Sequence, residues 1–183
     1  MRVITGSARG TVLISPEGMD VRPTAGKAKE GLFSAIQFHI EGRRVLDLFA
    51  GSGQLGIEAL SRGAEWADFV DNSRTSADIV RKNLEKCGLS DKGKVIVSDY
   101  KAFLKGGGRY GLIFMDPPYA SAPVQIESAV KLIDSFDILA QGGIIVCESD
   151  GIDRPFPGTE KIVLQKTRKY GRTLIAIYER TEA

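Results

Sequence analysis

Tyr110-Gly111-Leu112-Ile113-Phe114-Met115 is followed directly by Asp116-Pro117-Pro118-Tyr119. The first segment is an unbroken apolar run, which is typical of a strand buried on both faces of a parallel sheet. The run ends abruptly, because proline has no backbone N–H to donate to a sheet. Ligands of open α/β sheets bind at the carboxyl ends of the strands, so the sequence predicts a binding site at this polar corner.

The residues of this corner suit one task, which is to hold an amino group attached to a flat aromatic ring. The Asp116 carboxylate and the Pro117 carbonyl can each accept an N–H, and Tyr119 supplies a face on which a base can stack. The alternative is a Pro-Pro turn that caps a core strand, beside which an aspartate and a tyrosine stand by chance. We predict that the catalytic residues are Asp116, Pro117, Pro118 and Tyr119.

An earlier predicted strand, residues 44–50, ends in the turn Gly51-Ser52-Gly53, and a predicted helix follows over residues 54–62. Glycines let the backbone approach a ligand closely, and a helix N-terminus presents free N–H groups. The turn also begins a G-x-G-x-x-G pattern, which by itself fits a nicotinamide dinucleotide site as well. The sequence therefore predicts a cofactor site here and leaves the cofactor open.

Two further predicted strands end in acidic residues. Residues 67–71 end in Asp71, where a ribose-binding acid belongs in this architecture, and residues 94–97 lead into Asp99 and Tyr100. We predict that Asp71 binds a ribose and that Asp99 accepts from an adenine amino group with Tyr100 beside the ring. For Asp99, a helix cap is the alternative.

The order of the predicted elements indicates an α/β fold with a parallel, Rossmann-like sheet. Residues 1–23 predict a hairpin arm of two short strands that stays outside the core, and residues 24–183 form the main domain. Predicted helices cover residues 24–39, 73–87 and 124–139, with a fifth strand over 143–148. The two last strands, 161–167 and 173–178, have no helix between them, which predicts a closing antiparallel hairpin.

Composition excludes several classes of protein. The chain of 183 residues is 43% apolar and 26% charged, which is typical of one globular domain, and it has no run of about 18 apolar residues that could span a membrane. The first residues show no signal-peptide pattern, so we expect a cytoplasmic protein. With one histidine, His39, and two isolated cysteines, Cys87 and Cys147, we predict no metal site and no disulfide.

The net charge is only +2, but two segments are locally basic. Residues 161–178 contain five basic residues and no acidic one, and the first 29 residues also carry more bases than acids. A solvated surface is the alternative for each segment. We predict that RNA is bound by Arg9, Arg22, Lys27, Lys29, Arg168, Lys169 and Arg172.

Asp116-Pro117-Pro118-Tyr119 resembles the signature of S-adenosylmethionine-dependent methyltransferases that act on amino groups. Four other stretches extend the likeness along nearly the whole chain: Arg22-Pro23-Thr24, residues 46–53, residues 58–64 and Lys169-Tyr170-Gly171. Together they resemble the bacterial small-subunit ribosomal RNA guanine-N2 methyltransferase D family.

This resemblance implies a seven-stranded methyltransferase sheet, S-adenosylmethionine as cofactor, and direct methyl transfer to N2 of a flipped guanine in 16S ribosomal RNA, with the family target guanine 966. The partner is then ribosomal RNA or an assembling small subunit, and we expect a monomer. The cofactor residues implied are Thr24, Asp47, Phe49, Ala50, Gly51, Ser52, Gly53, Asp71, Asn72, Asp99 and Tyr100.

Three other functions remain open from the sequence. The same chemistry fits a DNA adenine or cytosine, or a protein glutamine. A nicotinamide-dependent oxidoreductase would explain the glycines and Asp71 but would give Asp116 no task. An inactive scaffold would bind RNA and transfer no methyl group.

Overall fold

The structure is a computed structural model that describes residues 1–16, 23–151 and 154–181, and for residues 23–25 and Tyr119 the backbone alone. Its strands are β1 (Arg44–Asp47), β2 (Trp66–Asp71), β3 (Gly93–Val97), β4 (Tyr110–Met115), β5 (Leu139–Asp150), β6 (Ile162–Tyr170) and β7 (Thr173–Arg180). Its helices are α1 (Pro23–Ala35), α2 (Gln54–Ser61), α3 (Arg74–Lys86), α4 (Tyr100–Lys105) and α5 (Ala122–Ser135), with short 3₁₀ turns at Gln37–His39, Ser90–Lys92 and Tyr119–Ser121.

All seven strands form one sheet in the order β3-β2-β1-β4-β5-β7-β6. The first five strands pair in parallel, whereas β7 runs antiparallel to both β5 and β6. The predicted α/β fold class is therefore confirmed, and the closing hairpin lies at one side of the sheet. Because β1 to β5 are parallel, their carboxyl ends meet at one edge.

The central strand β4 is buried along its whole length, as its apolar run predicts. Successive side chains of a strand point to opposite faces, so Leu112 and Phe114 join one core while Ile113 and Met115 join the other. The first core packs α1, α2 and α3 against the sheet, and the second packs α4 and α5. The loop after β1 contributes to both cores, with Ala50 in the first and Leu48 in the second.

The N-terminal arm is part of the core, so the prediction that it stays outside is wrong. The arm closes through hydrogen bonds from the Val3 N–H to the Thr11 carbonyl (3.0 Å) and from the Leu13 N–H to the Met1 carbonyl (2.9 Å). Val3 and Leu13 are buried with α1 and α2 in the first core. The misprediction arose because the three buried side chains of the arm, Val3, Ala8 and Leu13, are too far apart to give a recognisable periodicity.

Helix α5 ends four residues earlier than its apolar pattern predicts, and Leu139 already belongs to β5. The end is a Schellman motif, in which the Ile138 N–H donates to the Ile133 carbonyl (2.9 Å) and Asp137 adopts a φ of 54°. Glycine normally occupies this left-handed position, so an aspartate gives no clear stop signal in the sequence.

Candidate active site

A cleft of about 1580 Å³ lies along the carboxyl ends of the parallel strands. Its walls come from the arm, from α1, from the loops after β1 to β4, and from the β6–β7 turn. We call one side the glycine-turn half, formed by Phe49, Gly51, Asp71, Asn72, Asp99 and Tyr100, and the other the Asp-Pro-Pro half, formed by Asp116, Pro117, Pro118 and Glu148.

The glycine turn is held open by two left-handed residues, with φ of 54° at Gly51 and 77° at Gly53. A Cβ atom at Gly51 would meet nothing within 4 Å, so the backbone there is bare toward the cleft. The Gly51 N–H donates to Asp71 Oδ2 at 2.9 Å, and Asp71 Oδ1 accepts the Ser73 N–H at 2.9 Å. Asp71 thus links the turn to the end of β2 while it lines the cleft.

Asp47 lies behind the turn, not on the cleft wall. Its side chain is 1% exposed, and Oδ2 accepts the Gly56 N–H at 2.9 Å. Burial, together with the charge of Asp71, raises the pKa of Asp47 to about 7, against the lowering effect of the Gly56 bond. Ala50, Ser52 and Gly53 are buried beside it, so these four predicted residues shape the turn from below.

Two aromatic rings and an acid form the outer part of the glycine-turn half. The centroids of Phe49 and Tyr100 are 5.2 Å apart with the rings tilted by 48°, and both residues line the cleft together with Asp99. Asp99 also caps α4, because its Oδ1 accepts the N–H groups of Lys101 (2.9 Å) and Ala102 (3.2 Å). Both capping bonds use the same oxygen, and neither uses Oδ2.

The Asp-Pro-Pro half places two carboxyl groups, those of Asp116 and Glu148, next to each other. Burial raises the pKa of Asp116 well above its ordinary value, and the neighbouring carboxylates of Glu148 and Asp47 raise it further. Asp116, Pro117 and Pro118 line the cleft as the sequence predicts. For Tyr119 the structure describes the backbone, in a 3₁₀ turn, and the predicted stacking role concerns a side chain outside the described part.

The basic residues predicted to bind RNA are placed unequally. Arg9 and Arg172 line the cleft, and Lys27, Arg168 and Lys169 are exposed. Arg172 also pairs with Asp150 at 3.1 Å while its side chain stays 78% exposed. Arg22 lies outside the described residues, and the same holds for the side chain of Thr24.

Lys29 departs from the prediction of an RNA-binding side chain. It is 7% exposed, and its Nζ lies 3.0 Å from Oε2 of the fully buried Glu58. Burial lowers the pKa of Lys29 despite this partner. Burial alone would raise the pKa of Glu58, but Lys29 and the Ile4 N–H, which donates to Oε2 at 2.8 Å, hold it below its ordinary value. Lys29 therefore joins α1, α2 and the arm, and its charge does not face solvent.

Sequence reasoning missed several residues of the cleft, above all Glu148 and Gln125. Glu148 ends the apolar part of β5, at the same sheet edge as Asp116, and this position after a buried strand is the signal that could have found it. Gln125 has no such signal, because it is one polar residue on the amphipathic helix α5. Its Oε1 atom is buried and has no hydrogen-bond partner.

Within residues 1–16, 23–151 and 154–181, no cluster of His, Cys, Asp or Glu side chains could hold a metal ion. Over the same residues, no helix is long and apolar enough to cross a membrane.

The parallel strands, the antiparallel β7 and the cleft at the glycine turn define a class I methyltransferase, the class that uses S-adenosylmethionine. The α/β methyltransferase fold and the cofactor S-adenosylmethionine, both predicted from the sequence, are therefore confirmed. The particular family follows from the sequence itself: the model of the family described as conserved hypothetical protein 95 matches residues 1–179, and the chain belongs to that family. The resemblance to methyltransferase D proteins is thereby confirmed.

Individual relatives agree with this assignment. The chain is 38% identical to YlbH of Bacillus subtilis, with 98% of this chain and 99% of that protein covered. It is 33% identical to ribosomal RNA small subunit methyltransferase D of Haemophilus influenzae, over 98% of this chain and 93% of that protein. The solved structure of yhhF from Escherichia coli superposes with a TM-score of 0.86 at 29% identity, covering 100% of this chain and 99% of that one.

Proposed function

We propose that this protein transfers a methyl group from S-adenosylmethionine to the exocyclic N2 of a guanine in small-subunit ribosomal RNA. The observation that carries the proposal is that the bare glycine turn and the Asp116-Pro117-Pro118 corner open into one cleft. A methyl donor and an amino group can therefore lie side by side in it. The relative named ribosomal RNA small subunit methyltransferase D supports ribosomal RNA as the substrate class.

The residues of the glycine-turn half fit this cofactor. Asp71 presents carboxylate oxygens to the hydroxyls of a ribose, and Asp99 Oδ2 can accept from an adenine amino group with Phe49 and Tyr100 against the ring. The bare backbone at Gly51 suits a close approach of the cofactor. When bound, S-adenosylmethionine supplies a methyl group activated by a positively charged sulfur.

The Asp-Pro-Pro half orients the nucleophile. Guanine N2 is a poor nucleophile, because its lone pair is delocalised into the ring. Hydrogen bonds from its two hydrogens to the Asp116 carboxylate and the Pro117 carbonyl favour a pyramidal nitrogen whose lone pair points at the methyl carbon. As the N–C bond forms, the C–S bond breaks with its electron pair going to sulfur, and N2 becomes positive. The raised pKa of Asp116 makes its carboxylate a stronger base that can take up the proton N2 then loses.

A base inside a helix cannot reach this cleft, so the target nucleotide must leave its stack. Unstacking costs a few kcal/mol and is easiest in an unpaired loop. Arg9 and Arg172 line the cleft mouth, and Lys27, Arg168 and Lys169 are exposed on α1 and β6. We assign these five basic residues to the phosphates around the flipped nucleotide, and Lys29 is left out because it is buried. The site of action is then the cytoplasm, where bacterial ribosomes assemble.

The decisive experiment is mass spectrometry of ribosomal RNA from a host in which the gene is deleted. We expect the loss of one N2-methylguanine from 16S RNA, with guanine 966 as the expected position. The purified protein should restore it on RNA or small-subunit particles from the deletion strain. An unchanged guanine profile with a methyl group lost from adenine, cytosine or a protein glutamine would assign the chain a different substrate.

A further inference from the structure

A second carboxylate stands beside the catalytic corner. Strands β4 and β5 pair in parallel with Met115 opposite Cys147, so the next residues, Asp116 and Glu148, are neighbours at the sheet edge. Adjacent strands lie about 4.8 Å apart, and side chains at paired positions point to the same face. Both residues line the cleft, and the charge of Glu148 is one of the causes of the raised pKa of Asp116.

Two carboxylates side by side disfavour ionisation, and this cost is lowest when a ligand presents hydrogen-bond donors to both. Guanine presents such an edge, because its N1–H lies next to the N2 amino group. In adenine and cytosine the ring nitrogen beside the amino group is an acceptor, which an ionised carboxylate repels. The Asp116 corner alone accepts any exocyclic amine, so it cannot make this distinction.

We propose that Glu148 is the specificity-determining residue of the cleft, and that it accepts the N1–H of the target guanine while Asp116 accepts from N2. The proposal rests on the proposed function and names the group that selects its base. A carboxylate has about four lone-pair positions, so Glu148 can serve the base and keep other interactions. Its backbone is held in β5, which pairs with β7 through Glu148 opposite Ile175, so the acceptor has a defined position.

The test uses target RNA in which the methylated guanine is replaced by 2-aminopurine. This base keeps the amino group at C2, but its N1 carries no hydrogen. We expect the wild-type protein to methylate it with a kcat/KM about 100-fold below that for guanine, since the half-buried Glu148 carboxylate is left facing an acceptor. A wild-type protein that accepts 2-aminopurine within about 3-fold of guanine overturns the proposal, whatever any variant does.

The variant Glu148→Gln provides the second measurement. An amide can accept from N1–H with its oxygen or donate to a bare N1 with its nitrogen, so we expect the preference for guanine over 2-aminopurine to fall to within about 5-fold. Glu148→Asp keeps the charge and should keep the preference at a lower rate. A Glu148→Gln protein that retains the full preference and binds S-adenosylmethionine normally contradicts the proposal.

Glu30→Gln is the matched control. Glu30 is an exposed acid that lines the same cleft from α1, so its replacement removes one negative charge without touching the Asp116 corner. We expect its preference for guanine to equal that of wild type; equal losses in Glu30→Gln and Glu148→Gln would mean that only the charge of the cleft matters. Failure of the proposed function can be distinguished from failure of the Glu148 proposal, since in the first case the wild-type protein would not methylate the guanine RNA at all.

Discussion

Asp71, in the glycine-turn half of the cleft, accepts two backbone N–H groups, whereas Asp116, in the Asp-Pro-Pro half, faces a second carboxylate. The same contrast extends to their neighbours. Asp99 is also satisfied by backbone N–H groups, and Glu148 adds negative charge beside Asp116. The acids of the cofactor side are thus positioned by hydrogen bonds from the backbone. The base side instead places two carboxylates next to each other, and the charge of Glu148 helps to raise the pKa of Asp116.

The largest expected effect comes from removing the acceptor of the base side. Asp116→Ala should lower the rate of methyl transfer at least about 100-fold, because the amino group loses the group that orients it. Affinity for S-adenosylmethionine should change little. Single-turnover kinetics and calorimetry on the same preparation test both statements, with Asp116→Asn as a variant of nearly identical shape. Near wild-type turnover would remove Asp116 from the mechanism.

The opposite result is expected on the cofactor side. Asp71→Ala should weaken S-adenosylmethionine binding by about 1.5–3 kcal/mol, since a charge-assisted hydrogen bond to the ribose is lost and the Gly51 N–H loses its acceptor. At saturating cofactor the rate should recover to near that of wild type. If calorimetry shows unchanged affinity, the assignment of the two halves is wrong.

Asp47, which is buried behind the glycine turn, should make the stability of the protein depend on pH. Its pKa of about 7 is above that of the unfolded chain, so the folded state binds this proton more tightly. Between about pH 4 and about 7 the unfolded chain has lost the proton and the folded chain has not, so stability falls as pH rises, by up to ~1.4 kcal/mol per pH unit from this group.

Asp47→Asn keeps the oxygen that accepts from Gly56 and removes the titration. Its free energy of unfolding, measured by chemical denaturation from pH 5 to pH 8, should therefore decline less steeply than that of wild type. Some decline should remain, because the pKa of Asp116 is shifted in the same direction. Parallel pH profiles of variant and wild type would contradict the raised pKa of Asp47.

The smallest effect is expected for the basic residues assigned to the RNA phosphates. Replacing Arg168 and Lys169 by glutamine, or Arg9 and Lys27, should reduce the salt dependence of RNA binding by up to ~0.7 in slope for each phosphate that the variant no longer neutralises. The control pair is Lys92 and Lys94, two exposed lysines next to and within β3 at the far side of the sheet. Filter binding at several salt concentrations gives the slopes. Equal slopes in all three double variants would mean that these charges are only a solvated surface.

The sequence by itself determined the parts of this protein that depend on neighbouring residues. The apolar run of β4, the stop at Asp116-Pro117 and the glycine turn all follow from backbone chemistry within a few positions. The closing hairpin could also be predicted, because two strand patterns stand with no helix between them.

Only the tertiary structure decided which charges are exposed and which carboxylates meet. Lys29 is one basic residue among several in the sequence, and in the structure it is buried against Glu58. Glu58 also accepts the N–H of Ile4, which lies 54 positions earlier in the chain than Glu58. Glu148 becomes a neighbour of Asp116 through the pairing of β4 with β5. Such contacts join residues that are distant along the chain, and neither periodicity nor local composition depends on them. For this reason the sequence predicts the position of the cleft but not the group proposed to select its base.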